Sequence, residues 1–424
     1  MFERLTSLLG LLTFTGLAWV LSLNRKRFPT RTVLSGIALQ FGLAYFILRT
    51  ALGRNVFTFA NEAVAKLLSY SDEGVRFVFG PLGDSSLLTE KFGPENSFIF
   101  VVTITGTIIF VAALSSILYH YGILQRVVRA IGWVMQRLML TSGSESLAAA
   151  ANIFMGQTEA PLVIKPYLPN VTRSELFAIM VPGMATIAGG VLAAYVKFGN
   201  AAGRADMAGH LITASVMSAP AALLISKIML PETEQSETAA GADAKIERLS
   251  HNGIDAICLG ASDGMRLTLN VMAMLIAFVA IVALVNGMLA TVQGWFGVSG
   301  ESVVKLQTVL GWLNAPFAWL MGVSWPDCQS VGRVLGSRIV LNEFVGYLDL
   351  TALQKDHAVS DRSFTLATYA LCGFANFSSI AIQIGGIGAL APARRAELAA
   401  LGLRAMIGGL LACYMSATVV GILL

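Results

Sequence analysis

The chain has 424 residues, of which 55% are hydrophobic and 13% charged, with a net charge of +4. A soluble domain carries about a quarter charged residues, so this composition excludes a soluble one- or two-domain protein and predicts an all-α polytopic membrane protein. Period-2 alternation in ~10-residue pieces is absent, which argues against an outer-membrane barrel, and no cationic cluster with interleaved aromatics points to a nucleic-acid partner.

The first apolar run, 5–23, is followed by its cations in "NRKRFPTR", so it reads as a retained span and not a signal peptide. Spans of the ~20 residues that a bilayer requires are also expected at 33–52, 97–119, 173–198, 208–230, 266–290, 364–388 and 396–423, eight in all. The loop with Arg25, Lys26, Arg27 and Arg31 belongs in the cytoplasm by the positive-inside rule. Arg394, Arg395 and Arg404 place the loop before the last span there too. Both termini are then external, which an even number of crossings satisfies.

Other stretches are not simple spans. Residues 54–80 and 251–264 read as interfacial helices. In 123–140, Arg126, Arg129, Trp133 and Arg137 recur at helical spacing, with Val127, Ile131, Val134 and Leu138 on the opposite face. That pattern predicts an amphipathic helix along the interface. Residues 231–248, "PETEQSETAAGADAKIER", read as a polar connector, flexible at its middle.

Residues 143–169 and 327–354 are mildly apolar and broken by Gly, Pro and polar groups. Each is long enough for two short helices folded back as a re-entrant hairpin, which is tolerated only inside protein or beside a water-filled cavity. Each hairpin precedes a long span, and the two spans echo one another: "GMATIAGGV" from Gly183 aligns with "GFANFSSIA" from Gly373. Thr186 aligns with Asn376, and Ala188-Gly189 with Ser378-Ser379. The order interfacial helix, hairpin, interrupted span, span thus occurs twice, as in secondary transporters built from inverted repeats with two interrupted helices. The expected divisions are 1–96 (N-terminal spans and interfacial helix), 97–230 (first repeat), 231–264 (connector and interfacial helix) and 265–424 (second repeat).

Glu159, in "GQTEAP", is a carboxylate where a membrane helix charges roughly 2.5–3.5 kcal/mol for one. It reads as a substrate acceptor facing a polar cavity; the alternatives are a tie between hairpin arms or an interfacial carboxylate. Gln157 and Thr158 share its tip. Glu343, in "LNEFVGY", is the corresponding carboxylate of the second hairpin. Asn376, Ser378 and Ser379 add an amide and two hydroxyls, a set that suits a polyhydroxyl or amide-bearing solute. Asn152, Thr186 and the carbonyls around Met155 and Ile187 suggest an all-oxygen site for a cation such as sodium. The alternative coupling ion is a proton on Glu159 or Glu343. Asp327 reads as the cap of the second hairpin's first helix. Lys165, Arg173, Arg333 and Arg338 read as interfacial anchors, and Phe374 as either a stacking platform or packing.

Cys258, Cys328, Cys372 and Cys413 lack paired spacing and read as small core residues. His120, His210, His251 and His357 lack ligand spacing. No Gly-x-Ser-x-Gly is present and no histidine falls near the site motifs, which argues against an intramembrane enzyme. Two interrupted helices with carboxylates fit alternating access better than a steady channel.

"AAANIFMGQTEAPLVIKP", "ATIAGGVLAAY", "NEFVGY" and "CGFANFSSIAI", in this order, resemble the bacterial, sodium-coupled type of the concentrative nucleoside transporter family. The likeness runs from "NRKRFPTRTV" to "APARRAELAALGLRA". It implies a homotrimer in the bacterial inner membrane, with a lipid-embedded scaffold and mobile transport domains that move as elevators. It implies import of uridine-like nucleosides with sodium and no other cofactor. Gln157, Thr158 and Glu159 would then contact the nucleobase, Glu343, Asn376 and Ser379 the ribose, and Phe374, Val191 and Leu267 would pack about the base. Sodium would take the Asn152 side chain, the Met155 carbonyl, the Thr186 hydroxyl and carbonyl, and the Ile187 carbonyl. Thr186 stands where some relatives carry Ser, and Met155 where others carry Val; both keep the oxygen that matters.

Overall fold

The computed structural model describes residues 2–93, 99–242 and 250–424, and among them every regular element is helical. The N-terminal group is α1 (Phe2–Val20), α2 (Thr30–Arg49), α3 (Ala51–Phe79) and the short α4 (Ser85–Phe92). Then come α5 (Phe100–His120), α6 (Ile123–Met139), α7 (Gly143–Asn152), α8 (Arg173–Ala185), α9 (Gly189–Ala201) and α10 (Met207–Met229). The C-terminal half holds α11 (Gly253–Gly294), α12 (Leu306–Leu320), α13 (Cys328–Val340), α14 (Glu343–Lys355), α15 (Asp361–Leu371), α16 (Phe377–Leu390) and α17 (Arg395–Leu423). A helix, whole or broken, lies at each expected span. Six stretches among the described residues are long and apolar enough to cross a membrane, with α8 and α9 counted together.

The interrupted helices are real breaks. α8 stops at Ala185 and α9 restarts at Gly189; α15 stops at Leu371 and α16 restarts at Phe377. The breaks meet in space. A Cβ on Gly373 would lie 2.7 Å from Cys413 Sγ and 2.8 Å from the Met184 carbonyl oxygen at the end of α8. A Cβ on Gly183 would lie 2.6 Å from Gln383 Nε2 and 3.1 Å from Gln157 Cβ. Both glycines matched in sequence therefore lie where a part of one broken helix comes close to the other.

α1 and α17 pack antiparallel and are tied at both ends. Arg4 donates to the Leu424 carbonyl (2.7 Å) and Arg404 to the Leu21 carbonyl (3.1 Å). The basic 25–31 loop and the start of α17 thus share one end, and Arg27 bonds there to the Glu232 carbonyl (3.3 Å). At the opposite end Arg204 binds Asp206 (2.9 Å) and Asp361 (3.0 Å). Burial alone would raise the Asp206 carboxyl; bonds from His210 and Arg204 outweigh it and hold the group below the usual carboxylate range.

Several expectations need correction. Residues 251–264 are the first turns of the continuous 42-residue α11 and not a separate interfacial helix. The return arm of the first hairpin is a 3-10 turn, Ala160–Ile164, and further turns, because Pro161, Pro166 and Pro169 forbid a regular α-helix there. On α6 the buried stripe is Val128, Gly132, Met135 and Met139, while Val127, Val134 and Leu138 are exposed. The helix has three arcs, about 100° per residue setting them apart: one basic, one apolar and exposed, one against the protein. Cys258 is exposed, unlike the other three cysteines.

The connector is also more than a tether; residues 243–248 of it lie outside the described residues. Ser142-x-x-Glu145 and Thr172-x-x-Glu175 form reciprocal capping boxes at the starts of α7 and α8. Across them lies the segment from Glu232 to Thr238. Thr238 accepts from Gly143 N–H (2.8 Å) on its carbonyl and donates to Ser144 Oγ (2.9 Å); Ser236 donates to Glu175 (2.5 Å). Buried Lys227, in the last turn of α10, pairs with buried Glu145 at 2.6 Å and donates to Ser174 (2.9 Å). Lys227→Met should leave Glu145 without its counter-charge and cost roughly 3–5 kcal/mol. Thermal unfolding in detergent reads this, and adding Glu145→Gln should restore part of the loss; an unchanged melting point for the single variant would contradict the pair's structural role.

Candidate functional site

The first hairpin tip is a tight turn closed on itself. Glu159 N–H donates to the Gly156 carbonyl (3.1 Å), and the Glu159 carboxylate accepts from Gly156 N–H (2.6 Å). Glu159 is therefore a tie within the tip, not between arms, and its residue is exposed. Gln157 turns inward, 7% exposed, and donates from Nε2 to Ser379 Oγ (3.1 Å). The Thr158 methyl lies against Gly386, 2.5 Å from where that glycine's Cβ would be. One tip thus presents its three polar side chains to three settings: an open face, the second break and the face of α16.

The first break faces the same tip. Thr186 is extended (φ −122°, ψ 168°), and its hydroxyl donates to the Pro182 carbonyl (2.8 Å). Gly189 N–H donates to the Phe154 carbonyl (3.3 Å), and Ser215 Oγ to the Ile153 carbonyl (3.0 Å). Four oxygens are left over. Asn152 spends its amide on the Ala148 carbonyl (3.0 Å), and its buried Oδ1 has no partner. No donor among the described residues bonds the carbonyls of Met155, Thr186 or Ile187. Unpartnered buried oxygens with no carboxylate among them suit a monovalent cation. Among the described residues no cluster of His, Cys, Asp or Glu could hold a transition metal.

At the second break a short chain of hydrogen bonds runs between both halves. Asn376 caps α16 by accepting from Ser379 N–H (2.9 Å), takes a bond from Ser378 Oγ (2.7 Å), and donates from Nδ2 to Glu343 Oε2 (2.9 Å). Glu343 opens α14 and is 4% exposed; its Oε1 accepts from Tyr195 Oη on α9 (3.0 Å). Gln157, Ser379, Asn376, Glu343 and Tyr195 are thereby linked across two hairpins and two broken helices. Both donors suit a carboxyl group, which accepts through either oxygen. Val191 is buried on α9, one turn before Tyr195; Phe374 is partly buried in the second break. Leu267 is partly buried on α11, outside this chain of bonds.

Two expected roles fail. Arg338 is no interfacial anchor: it is fully buried, donates to the Ala370 carbonyl (2.7 Å) and lies 5.5 Å over the Tyr414 ring. Lys165, Arg173 and Arg333 are exposed, as anchors should be. Asp327 sits at the start of α13 but makes no cap; it accepts from Ser360 N–H (3.1 Å) and Oγ (2.8 Å). Sequence reasoning missed Tyr195 and Gln383, whose amide bonds the Met180 carbonyl (3.0 Å) beside Gly183. It also missed Glu145, Glu175 and Lys227, although both S/T-x-x-E boxes and a lysine inside an apolar helix were readable signals.

Family models described as Na+ dependent nucleoside transporter N-terminus, nucleoside recognition Gate, and Na+ dependent nucleoside transporter C-terminus match residues 9–82, 101–202 and 210–421. The chain is 40% identical to the nucleoside permease NupC of Helicobacter pylori, over 99% of this chain and 98% of that one. The chain belongs to the concentrative nucleoside transporter family. It is also 45% identical to an uncharacterized transporter of Haemophilus influenzae, over 99% of this chain and 97% of the other. Against human solute carrier family 28 member 3 the identity is 38%, over 99% of this chain but 60% of the human one. The structure of CNTnw in an inward-facing substrate-bound state matches with a TM-score of 0.92 at 40% identity, covering 99% of this chain and 97% of that one. As a nucleoside transporter the protein is a membrane carrier and not an enzyme. The family's sodium dependence does not favour the proton alternative.

In this transporter Asn376 carries two loads, the α16 cap and a bond to Glu343. Asn376→Ala should cost about 2–4 kcal/mol. Asn376→Asp keeps the cap but sets a second carboxylate against Glu343, so its deficit should shrink as pH falls and one of the pair takes a proton. Melting curves of both variants between acid and neutral pH check this; a pH-independent Asp variant would contradict it.

Proposed function

We propose that the chain is a sodium-coupled symporter that imports uridine-like nucleosides by an elevator motion. The observation that carries this reading is the hydrogen-bonded chain from Gln157 to Glu343 beside four unpartnered oxygens at the adjoining break. On this reading Gln157, Thr158 and Glu159 meet the nucleobase, and Glu343, Asn376 and Ser379 the ribose. Val191, Leu267 and Phe374 pack about the base. Asn152, Met155, Thr186 and Ile187 hold sodium.

The chemistry supports the division of roles. A ribose offers hydroxyl donors, and a carboxylate accepts them as charge-assisted bonds. The buried Gln157 Oε1 has no partner and awaits a donor such as a base N–H. Sodium between the hairpin tip and the first break would fix Gln157, so each ligand would raise the other's affinity by the same factor. Eight crossings and two re-entrant hairpins follow, in a homotrimeric scaffold in a bacterial inner membrane. The basic 25–31 loop faces the cytoplasm, and the shared end of Arg4 and Leu424 faces outward.

Purified protein in liposomes should accumulate radiolabelled uridine when sodium is outside and potassium inside. Equal uptake without sodium would sink the coupling, and no uridine uptake at all would sink the substrate class. Glu343→Gln should weaken apparent uridine affinity about 10-fold or more. Asn152→Ala should raise the sodium concentration needed for half-maximal uptake.

A further inference from the structure

We infer that Tyr195 is the positioning residue that aims Glu343, and that it sets how strongly the site prefers a nucleoside over its 3′-deoxy analogue. The inference rests on the nucleoside reading of the site. Tyr195 is fully buried on α9, and its hydroxyl donates to Glu343 Oε1 at 3.0 Å. Its ring does more than fill space. It stacks on Tyr347 with centroids 4.2 Å apart and meets Phe344 edge-on at 5.0 Å. Phe344 follows Glu343 directly and Tyr347 lies one turn on, so one side chain grips α14 at three successive points of the same helix end.

Glu343 needs such a grip. The capping of α14 is done by Asn342, whose side chain accepts from Val345 N–H (3.1 Å). The Glu343 carboxylate is therefore not needed for that cap, and two side chains from other elements hold it, one on each oxygen. Asn376 holds Oε2 and Tyr195 holds Oε1, from different halves of the chain. Each oxygen keeps a lone pair for a further donor. With both oxygens held, those lone pairs point in fixed directions and fit one spacing of ribose hydroxyls. With Oε1 released, the carboxylate can turn about its last torsion, which is soft, and meet a single hydroxyl almost as well as a pair.

Tyr195→Phe removes the hydroxyl and keeps both ring contacts. In proteoliposomes of the full chain, it should raise the KM for uridine about 10-fold and leave the maximal rate near wild type. The preference for uridine over 3′-deoxyuridine, measured by competition, should fall toward unity, while the melting temperature drops less than it does in Tyr195→Leu. Tyr195→Leu, which also deletes the ring, should lower the melting temperature. If Tyr195→Phe keeps the wild-type preference, the tyrosine is only packing and the inference is overturned. A wild-type protein that takes up no uridine overturns the nucleoside reading instead, and this inference with it; the wild-type arm alone reveals that case.

Discussion

A helix broken inside a membrane protein frees backbone groups that hydrocarbon cannot satisfy, and this protein breaks two. Other parts of the protein take up some of those groups at each break. At the first, Gly189 N–H reaches the Phe154 carbonyl of the neighbouring hairpin, and the Thr186 hydroxyl turns back on Pro182. At the second, the Asn376 side chain caps α16. Part of the freed backbone is thus taken up, and among the acceptors Asn152 Oδ1 and the carbonyls of Met155, Thr186 and Ile187 take no bond.

The closure works only if the hairpin is held at its far end. There the strap from Glu232 to Thr238 crosses the starts of α7 and α8, and Lys227 neutralises Glu145 in a buried pair. Buried pairs add little net stability over apolar packing, yet they penalise any arrangement that separates them. Their contribution here is therefore one of register. They fix where α7 begins, and a helix of ten residues carries that position to Asn152 at its other end. Arg338 does the same for the second hairpin, tying α13 to the Ala370 carbonyl just before the second break.

Much of this was legible because the costly residues are conspicuous in an apolar chain. Glu159 and Glu343 had to have partners, and the echo of Gly183 with Gly373 located both breaks. Other features hid for physical reasons. Tyr195 looks like packing, since an aromatic in a span carries no anomaly; only the fold brings α9 to α14. The depth of Arg338 does not follow from spacing, because a cation near a hairpin end can snorkel outward or be clamped inside. On α6 the eye divides a helix into two faces, whereas a helix between protein, lipid and water has three. The 251–264 stretch resembled a separate element because Asp263 and Arg266 interrupt its hydropathy, but neither residue breaks a helix.

The linked side chains also set the terms on which a polar ligand is accommodated. Glu343 and Asn376 satisfy each other, and Gln157 satisfies Ser379. A ligand that offers hydroxyls and amide groups exchanges these internal bonds for new ones of similar kind, so binding need not strand any buried group. A ligand that lacks one hydroxyl would leave an acceptor unmet, and the cost of an unmet buried group exceeds the gain of a made one. Selectivity then comes from the penalty side and is greatest where the acceptors are held most rigidly. Rigidity is supplied from the opposite half of the chain, since α9 starts at the first break and carries Tyr195 about two turns later. Any shift of that break must move the hydroxyl that holds Glu343, so the first break and the second hairpin share a mechanical element in a single helix.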